Sequence, residues 1–213
     1  MINRIKYLFS LLILISITVY FAGCGKSGEE KNKLDKEYVS ALMQERASND
    51  SAMQYESYSP FVRDENAHFS PLKYFEPTAE FIFKSKLYEY NPKDTVDVYG
   101  TRGELRRVIK VGYVILPYRG NEYKINVYKG FTKDGQSYYS IWFTDNTTGK
   151  ETYGVGRYLD FEKEADPEHI YTIDFNRAYN PYCAYSSLYT CPIPRKEDHL
   201  DMSITAGEKN FHE

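Results

Sequence analysis

The chain has 213 residues, with 27 Lys and Arg against 30 Asp and Glu for a net charge of −3, and 22 tyrosines against 12 phenylalanines and one tryptophan. A near-neutral chain without a basic stripe excludes a nucleic-acid binder, whose Lys and Arg must cluster along phosphates. The length suits one domain plus a targeting segment, and the tyrosine excess favours the pleated, half-wet surfaces of β-structure.

Residues 1–23 read as a lipoprotein signal peptide. Arg4 and Lys6 form a short basic start, and no charge follows from Tyr7 to Gly23. The run ends in Phe21-Ala22-Gly23-Cys24, small residues before a cysteine that is the acylation point of a bacterial lipobox, with Phe21 standing where Leu is usual. The alternative is an uncleaved membrane span, which Ser10, Ser16, Thr18 and the small-residue end argue against. Palmitate-type chains on Cys24, each buried CH₂ contributing about 0.8 kcal/mol, would anchor the protein to a membrane of the cell envelope, at its periplasmic face or at the cell surface. Residues 24–33 are charged and glycine-bearing and read as a flexible tether.

Residues 34–213 read as a single β-rich domain. Leu34, Tyr38, Ala41, Leu42 and Glu45 predict an amphipathic helix over Leu34–Ala47, stopped by Ser48-Asn49-Asp50-Ser51. An extended approach runs from Tyr55 to Pro77, with a turn at Ser70-Pro71-Leu72. Strand patterns then follow at Ala79–Tyr88, Thr95–Tyr99, Leu105–Leu116, Glu122–Tyr128 and Tyr138–Thr144. Between them, Asn91-Pro92-Lys93-Asp94 reads as a break and Tyr118-Arg119-Gly120-Asn121 as a hairpin turn. Val111, Tyr113 and Ile115 are expected on one face, as are Tyr123, Ile125 and Val127, and Ile141 and Phe143 against Trp142. Without room for crossover helices the strands must be antiparallel, which predicts a β-sandwich or half-barrel, one N-terminal helix and a long irregular C-terminal segment.

The chemistry concentrates in residues 154–194. Cys183 and Cys191 are the even pair left once Cys24 carries lipid, and an exported chain points to a disulfide between them, with two buried neutral thiols as the alternative. A zinc site with His169 or His199 is the rival, but the gap is wider than the roughly two-to-four spacing of zinc knuckles; no metal or cofactor is implied. Arg157, Asp174, Asn176, Tyr179, Asn180 and Tyr185 are the candidate binding residues, a guanidinium for an anion and tyrosine walls. Asp and Asn also cap turns in irregular backbone, and an Arg157–Asp174 ion pair accounts for the same residues without a ligand. Gly154 and Gly156 do not complete a dinucleotide fingerprint, and Asp145-Asn146-Thr147-Thr148-Gly149 lacks the later glutamate of a calcium loop.

These segments carry a resemblance. Ser70-Pro71-Leu72, Phe143-Thr144-Asp145, Thr148–Tyr153, Gly156-Arg157-Tyr158-Leu159, Asp174–Tyr185, Cys191-Pro192-Ile193-Pro194 and Ala206-Gly207-Glu208-Lys209 together resemble a bacterial and archaeal domain-of-unknown-function family, the one numbered sixteen eighty-four, over approximately Phe61 to Phe211. Arg195 stands where that pattern often has a second proline. The resemblance implies no activity. It implies that residues 174–185 are a signature, which can serve folding as well as function.

Three functions are consistent with this reading. The first is an envelope lipoprotein binding a small molecule or an envelope protein through the face around Arg157 and Asp174–Tyr185. The second is a hydrolase using Asp174 or Glu208 as base with Arg157 for the anion, which requires a carboxylate in a cleft with a raised pKa. The third is a structural envelope component with a flat apolar patch.

Overall fold

The computed structural model describes residues 33–132 and 134–212; the signal peptide, Cys24 and the tether up to residue 32 lie outside the described residues. Asp35 caps the first helix, α1 (Lys36–Tyr55), its carboxylate accepting the Glu37 N–H at 2.8 Å. The expected stop at Ser48–Ser51 does not occur, and the helix continues to Tyr55. Leu42, Arg46 and Met53 recur on one buried face, and Asp50 accepts the Leu72 N–H at 3.0 Å, so tertiary contacts outweigh the weak propensity of these residues. A short helix, α2 (Pro60–Arg63), follows with Ser59 as its cap. A turn lies earlier, where Asp64 Oδ1 accepts the Asn66 N–H at 3.0 Å, and Ser70–Leu72, where one was expected, has no turn. Among the described residues no helix is long and apolar enough to cross a membrane.

Among the described residues eight strands follow: β1 (Ile82–Ser85), β2 (Tyr88–Tyr99), β3 (Leu105–Tyr118), β4 (Asn121–Phe131), β5 (Ser137–Asp145), β6 (Arg157–Asp160), β7 (Tyr171–Asp174) and β8 (His199–Leu200). The larger sheet runs β2-β3-β4-β5-β6 and is antiparallel throughout; the two-residue β8 joins β5 in parallel, the one departure from the expected direction. β1 and β7 pair antiparallel as a separate ribbon. The fold is therefore mainly β, two sheets with the larger curled into a half-barrel. Asn91–Asp94 does not break the chain. β2 is an edge strand and absorbs these residues as a register shift between Glu89 and Asp94, the setting in which a strand tolerates proline. Arg119 (φ 47°) and Gly120 (φ 82°) make the expected two-residue hairpin between β3 and β4.

A second register shift, between Lys110 and Gly112, changes which residues of β3 face inward. Val111, Val114 and Leu116 enter the core, whereas Tyr113 and Ile115 stay half-buried on the other side, against the expected face. Ile125 and Val127 of β4 and Ile141 and Phe143 of β5 meet them, and the β1–β7 ribbon adds Phe83 and Ile173. Phe175 closes this core edge-on to Phe143 at 5.0 Å between ring centroids.

The alternate residues of β4–β6 form a second cluster on the opposite face: Tyr128, Trp142 and Tyr158, with Tyr128 stacked on Trp142 at 4.9 Å. That face is covered by residues 179–192, whose one helical piece is a 3₁₀ turn at Tyr182–Ala184 and which place Tyr179, Cys183, Tyr189 and Cys191 against it. The C-terminal segment then returns along residues 73–75, where Phe75 N–H bonds Gly207 O at 2.9 Å and Lys209 N–H bonds Lys73 O at 2.7 Å. Gly207 has φ 76°, and a Cβ there would sit 2.6 Å from the carbonyl oxygens of both Phe175 and Ala178. Only glycine permits this approach, which delivers the next residue, Glu208, to the 178–180 turn.

Candidate functional site

Asp174 ends β7 and caps a 3₁₀ turn over Phe175–Arg177. Its Oδ1 accepts from Asn176 N and Nδ2 at 3.0 and 2.9 Å, and its Oδ2 from Tyr38 O–H at 2.7 Å and Arg177 Nη1 at 3.3 Å. Asn176 clamps the chain at Thr78, accepting its N–H at 2.9 Å and donating to its carbonyl at 2.7 Å. Both side chains are spent on holding the turn against α1 and residue 78. Burial, with the Asp174 carboxylate beside it, pushes the Tyr38 hydroxyl well up.

Arg157 is 1% exposed and faces away from solvent. Its partner is Asp145, Nη2 to Oδ2 at 2.8 Å, and not Asp174. Strand register explains the choice. Arg157 lies opposite Phe143 in the β5–β6 ladder, so Asp145 is the diagonal neighbour on the same face. The Nη groups also donate to the carbonyls of Ile204 (2.9 Å), Ala206 and Glu208 (3.2 Å), the buried Nε has no partner, and the guanidinium lies 5.2 Å over the Phe143 ring. Arg157 thus fastens the C-terminal segment and has no donor aimed at a cleft.

What it fastens includes Glu208, a carboxyl 1% exposed. Oε1 accepts from Asn180 Nδ2 at 2.9 Å and from the Tyr185 hydroxyl, and Oε2 from Asn180 N–H at 2.9 Å. Burial outweighs these donors and the nearby Arg157 charge, raising the Glu208 pKa to about 7. Tyr179 hydrogen-bonds Asp160 Oδ1 at 2.6 Å and pairs its backbone with Tyr158.

Glu208, Asn180 and Tyr185 border a cleft of about 660 Å³ between α1 and the outer face of β5 and β6. The α1 wall contributes Leu42, Glu45, Arg46, Asn49 and Met53; the sheet contributes Tyr138, Ser140, Trp142, Tyr158 and Asp160; and the covering segment contributes Tyr179, Tyr182 and Tyr189. Of the sequence-derived candidates, Asn176, Tyr179, Asn180, Tyr185 and Glu208 reach the cleft, while Arg157 and Asp174 do not line it. The guanidiniums that do are Arg46, Arg106 and Arg177. Arg46 stacks on Tyr74 at 4.4 Å and donates to Phe75 O and Asn176 O at 3.0 and 3.2 Å. Arg177 grips Glu45 with two hydrogen bonds, of 2.9 and 2.8 Å. The sequence signal for Arg46 is its place on the Leu42–Met53 stripe of α1, since an arginine in an apolar stripe needs buried partners.

Cys183 and Cys191 are free thiols in the structure, so the expected disulfide is not formed there; the Cys183 N–H points at Cys191 Sγ from 3.4 Å. A hydrogen bond from the Cys191 thiol, assisted by the Tyr153 hydroxyl, lowers the Cys183 thiol to about 7 against the effect of burial. That same bond, with burial, pushes Cys191 up. Among the described residues no group of three or more His, Cys, Asp or Glu is placed to hold a metal ion.

Residues 67–209 match the family described as Protein of unknown function (DUF1684). No curated protein matches the chain. An uncharacterized protein of Haloarcula marismortui, its structure determined by NMR in solution, is 26% identical with a TM-score of 0.61, covering 83% of this chain and 96% of that one. With signature residues 174–185 now seen as the turn that joins β7, α1 and the C-terminal segment, the chain belongs to the DUF1684 family.

Proposed function

We propose that this protein is a membrane-anchored envelope lipoprotein, lipidated on Cys24, whose β-domain binds a small ligand in the cleft between α1 and β5–β6. The supporting observation is the cleft itself. Its volume, about 660 Å³, is within the range of small-molecule sites, and its wall is aromatic with a few polar groups, the usual make-up of such sites. Arg157 serves it from behind, by positioning Glu208 and the 178–180 turn. The ligand site is tested with soluble Gly25–Glu213 in a thermal-shift screen against envelope metabolites. Saturable stabilisation by one compound, lost in Tyr182→Ala, supports the reading; a shift that survives Tyr182→Ala places the ligand elsewhere.

Glu208 favours a second reading, a hydrolase with this carboxyl as general acid–base, because a group titrating near neutrality in a cleft wall is suited to proton transfer. Turnover of a chromogenic ester or glycoside that disappears in Glu208→Gln would favour it over plain binding.

The anchor and the thiols predict one mass spectrum. Protein isolated from envelopes is expected to carry acyl chains on Cys24 and to contain no free thiol, because Cys183 and Cys191 lie side by side in a compartment that oxidises dithiols. The closed loop contributes about 2–3 kcal/mol in the chain-entropy picture. Two free thiols per chain, or an unmodified Cys24, would overturn the corresponding half. In reduced protein, bimane labelling of Cys183 is expected to reach half its maximal rate near pH 7.

A further inference from the structure

We infer that the ligand is an uncharged, hydroxyl-rich ring, a sugar or short oligosaccharide; this rests on the reading of the cleft as a small-ligand site. Tyr138, Tyr179, Tyr182 and Tyr189 are each half-buried in its wall, so part of every ring remains open to a ligand. The C–H face of a pyranose stacks on such rings, whose faces carry partial negative charge. The hydroxyls of Tyr138 and Tyr182 have no hydrogen-bond partner among the described residues, in contrast to those of Tyr179 and Tyr158.

Two buried atoms point to hydroxyl groups more directly. Asn180 Oδ1, an acceptor, and Arg46 Nε, a donor, are both unpartnered, and both residues line the cleft. Their side chains are almost wholly buried, with relative exposures of 2% and 8%. Leaving such a group unmet costs about 1–3 kcal/mol. A hydroxyl both donates and accepts, so one type of group on the ligand would satisfy either atom once a side-chain shift opened it to the cleft. A fatty acyl chain would satisfy neither.

Charge argues against an anion. The lining guanidiniums of Arg46, Arg106 and Arg177 are accompanied by the carboxylates of Glu45 and Asp160 and, above its pKa of about 7, by that of Glu208. Each guanidinium is also already engaged: Arg177 by Glu45, Arg106 by Glu104, and Arg46 by two backbone carbonyls. A phosphate or carboxylate would have to displace a resident carboxylate at Arg106 or Arg177, or two backbone carbonyls at Arg46, to gain a fork of its own. A neutral polyol gains its hydrogen bonds without that exchange.

The protein carries its own reporter, since its one tryptophan, Trp142, is part of the cleft wall. The test uses the full acylated chain in a polyoxyethylene detergent, which avoids sugar head groups, with Trp142 emission and melting temperature read together. Chitotriose, cellotriose, maltotriose, inorganic phosphate, lauric acid and adenosine are each titrated. At least one trisaccharide is expected to change Trp142 emission saturably with Kd below about 1 mM. Tyr182→Ala is expected to weaken it at least roughly tenfold through lost stacking, and Tyr138→Phe, which removes a hydroxyl and no packing, by a smaller factor. Binding of phosphate, laurate or adenosine with no trisaccharide response overturns the sugar assignment and leaves the cleft reading standing. Silence from all six overturns both.

Discussion

Replacing Arg157 by alanine is expected to lower the unfolding free energy by about 3–5 kcal/mol, the range for removing one partner of a buried ion pair. The loss has three sources. The Asp145 carboxylate, fully buried as a side chain, would keep Thr147 N–H at 2.6 Å and lose its cationic partner among the described residues. The carbonyls of Ile204, Ala206 and Glu208 would lose the donors that satisfy them. The contact over Phe143 would become a cavity next to the main core. Urea unfolding at pH 7 measures the effect, and a fall of less than about 1 kcal/mol would refute the assignment. The double change Arg157→Met with Asp145→Leu is expected to be less damaging than Arg157→Ala, because it leaves no charge buried alone. A simple anion-binding arginine would behave in the opposite way, with basal stability intact and ligand response gone.

The second large effect is a dependence of stability on pH that Glu208 creates. Its folded pKa of about 7 stands above the ordinary 4.5, so the fold prefers the neutral carboxyl. Its stabilising contribution is complete below 4.5 and declines as pH rises through about 7. The difference corresponds to about 3 kcal/mol between the two limits. Glu208→Gln removes the titration, so its stability is expected to change less than the parent's between pH 5 and pH 8 by roughly that amount. Urea unfolding at both pH values compares the two chains. Identical pH profiles would mean that the carboxyl is ionised in the fold after all.

Much of the architecture was legible because it is local. The hairpin at Arg119-Gly120, the alternation of Ile141 and Phe143 against Trp142, and the antiparallel succession of β2 to β6 each follow from spacing within a few residues. What escaped is non-local. Nothing near Ser48–Ser51 announces that Asp50 will bond Leu72 or that Met53 will be buried, and without these the helix should stop. The β1–β7 ribbon joins Ile82 to Asp174, far apart in sequence. The register shift at Lys110–Gly112 inverts the face of β3 by inserting one residue, which periodicity alone cannot place. The candidate site divides along the same line. Asn176, Tyr179, Asn180 and Tyr185 were found from composition and do meet the cleft, but Arg157 needed a register before its partner could be assigned. The α1 wall, with Glu45 and Arg46, comes from the other end of the domain.

The fastening of Arg157 also bears on how the molecule is made. A nascent chain emerges with β6 and its arginine long before Ile204, Ala206 and Glu208 exist to receive those hydrogen bonds. A chain halted at Ser203 would already contain β1 to β8, yet would lack three acceptors of the guanidinium and the carboxyl that Asn180 and Tyr185 hold. Completion is therefore deferred until residues 204–208 have been synthesised, and until then the sheet is present without its lock. Any machinery that threads this polypeptide from its N-terminal end meets a chain that stays loose until Glu208 has passed.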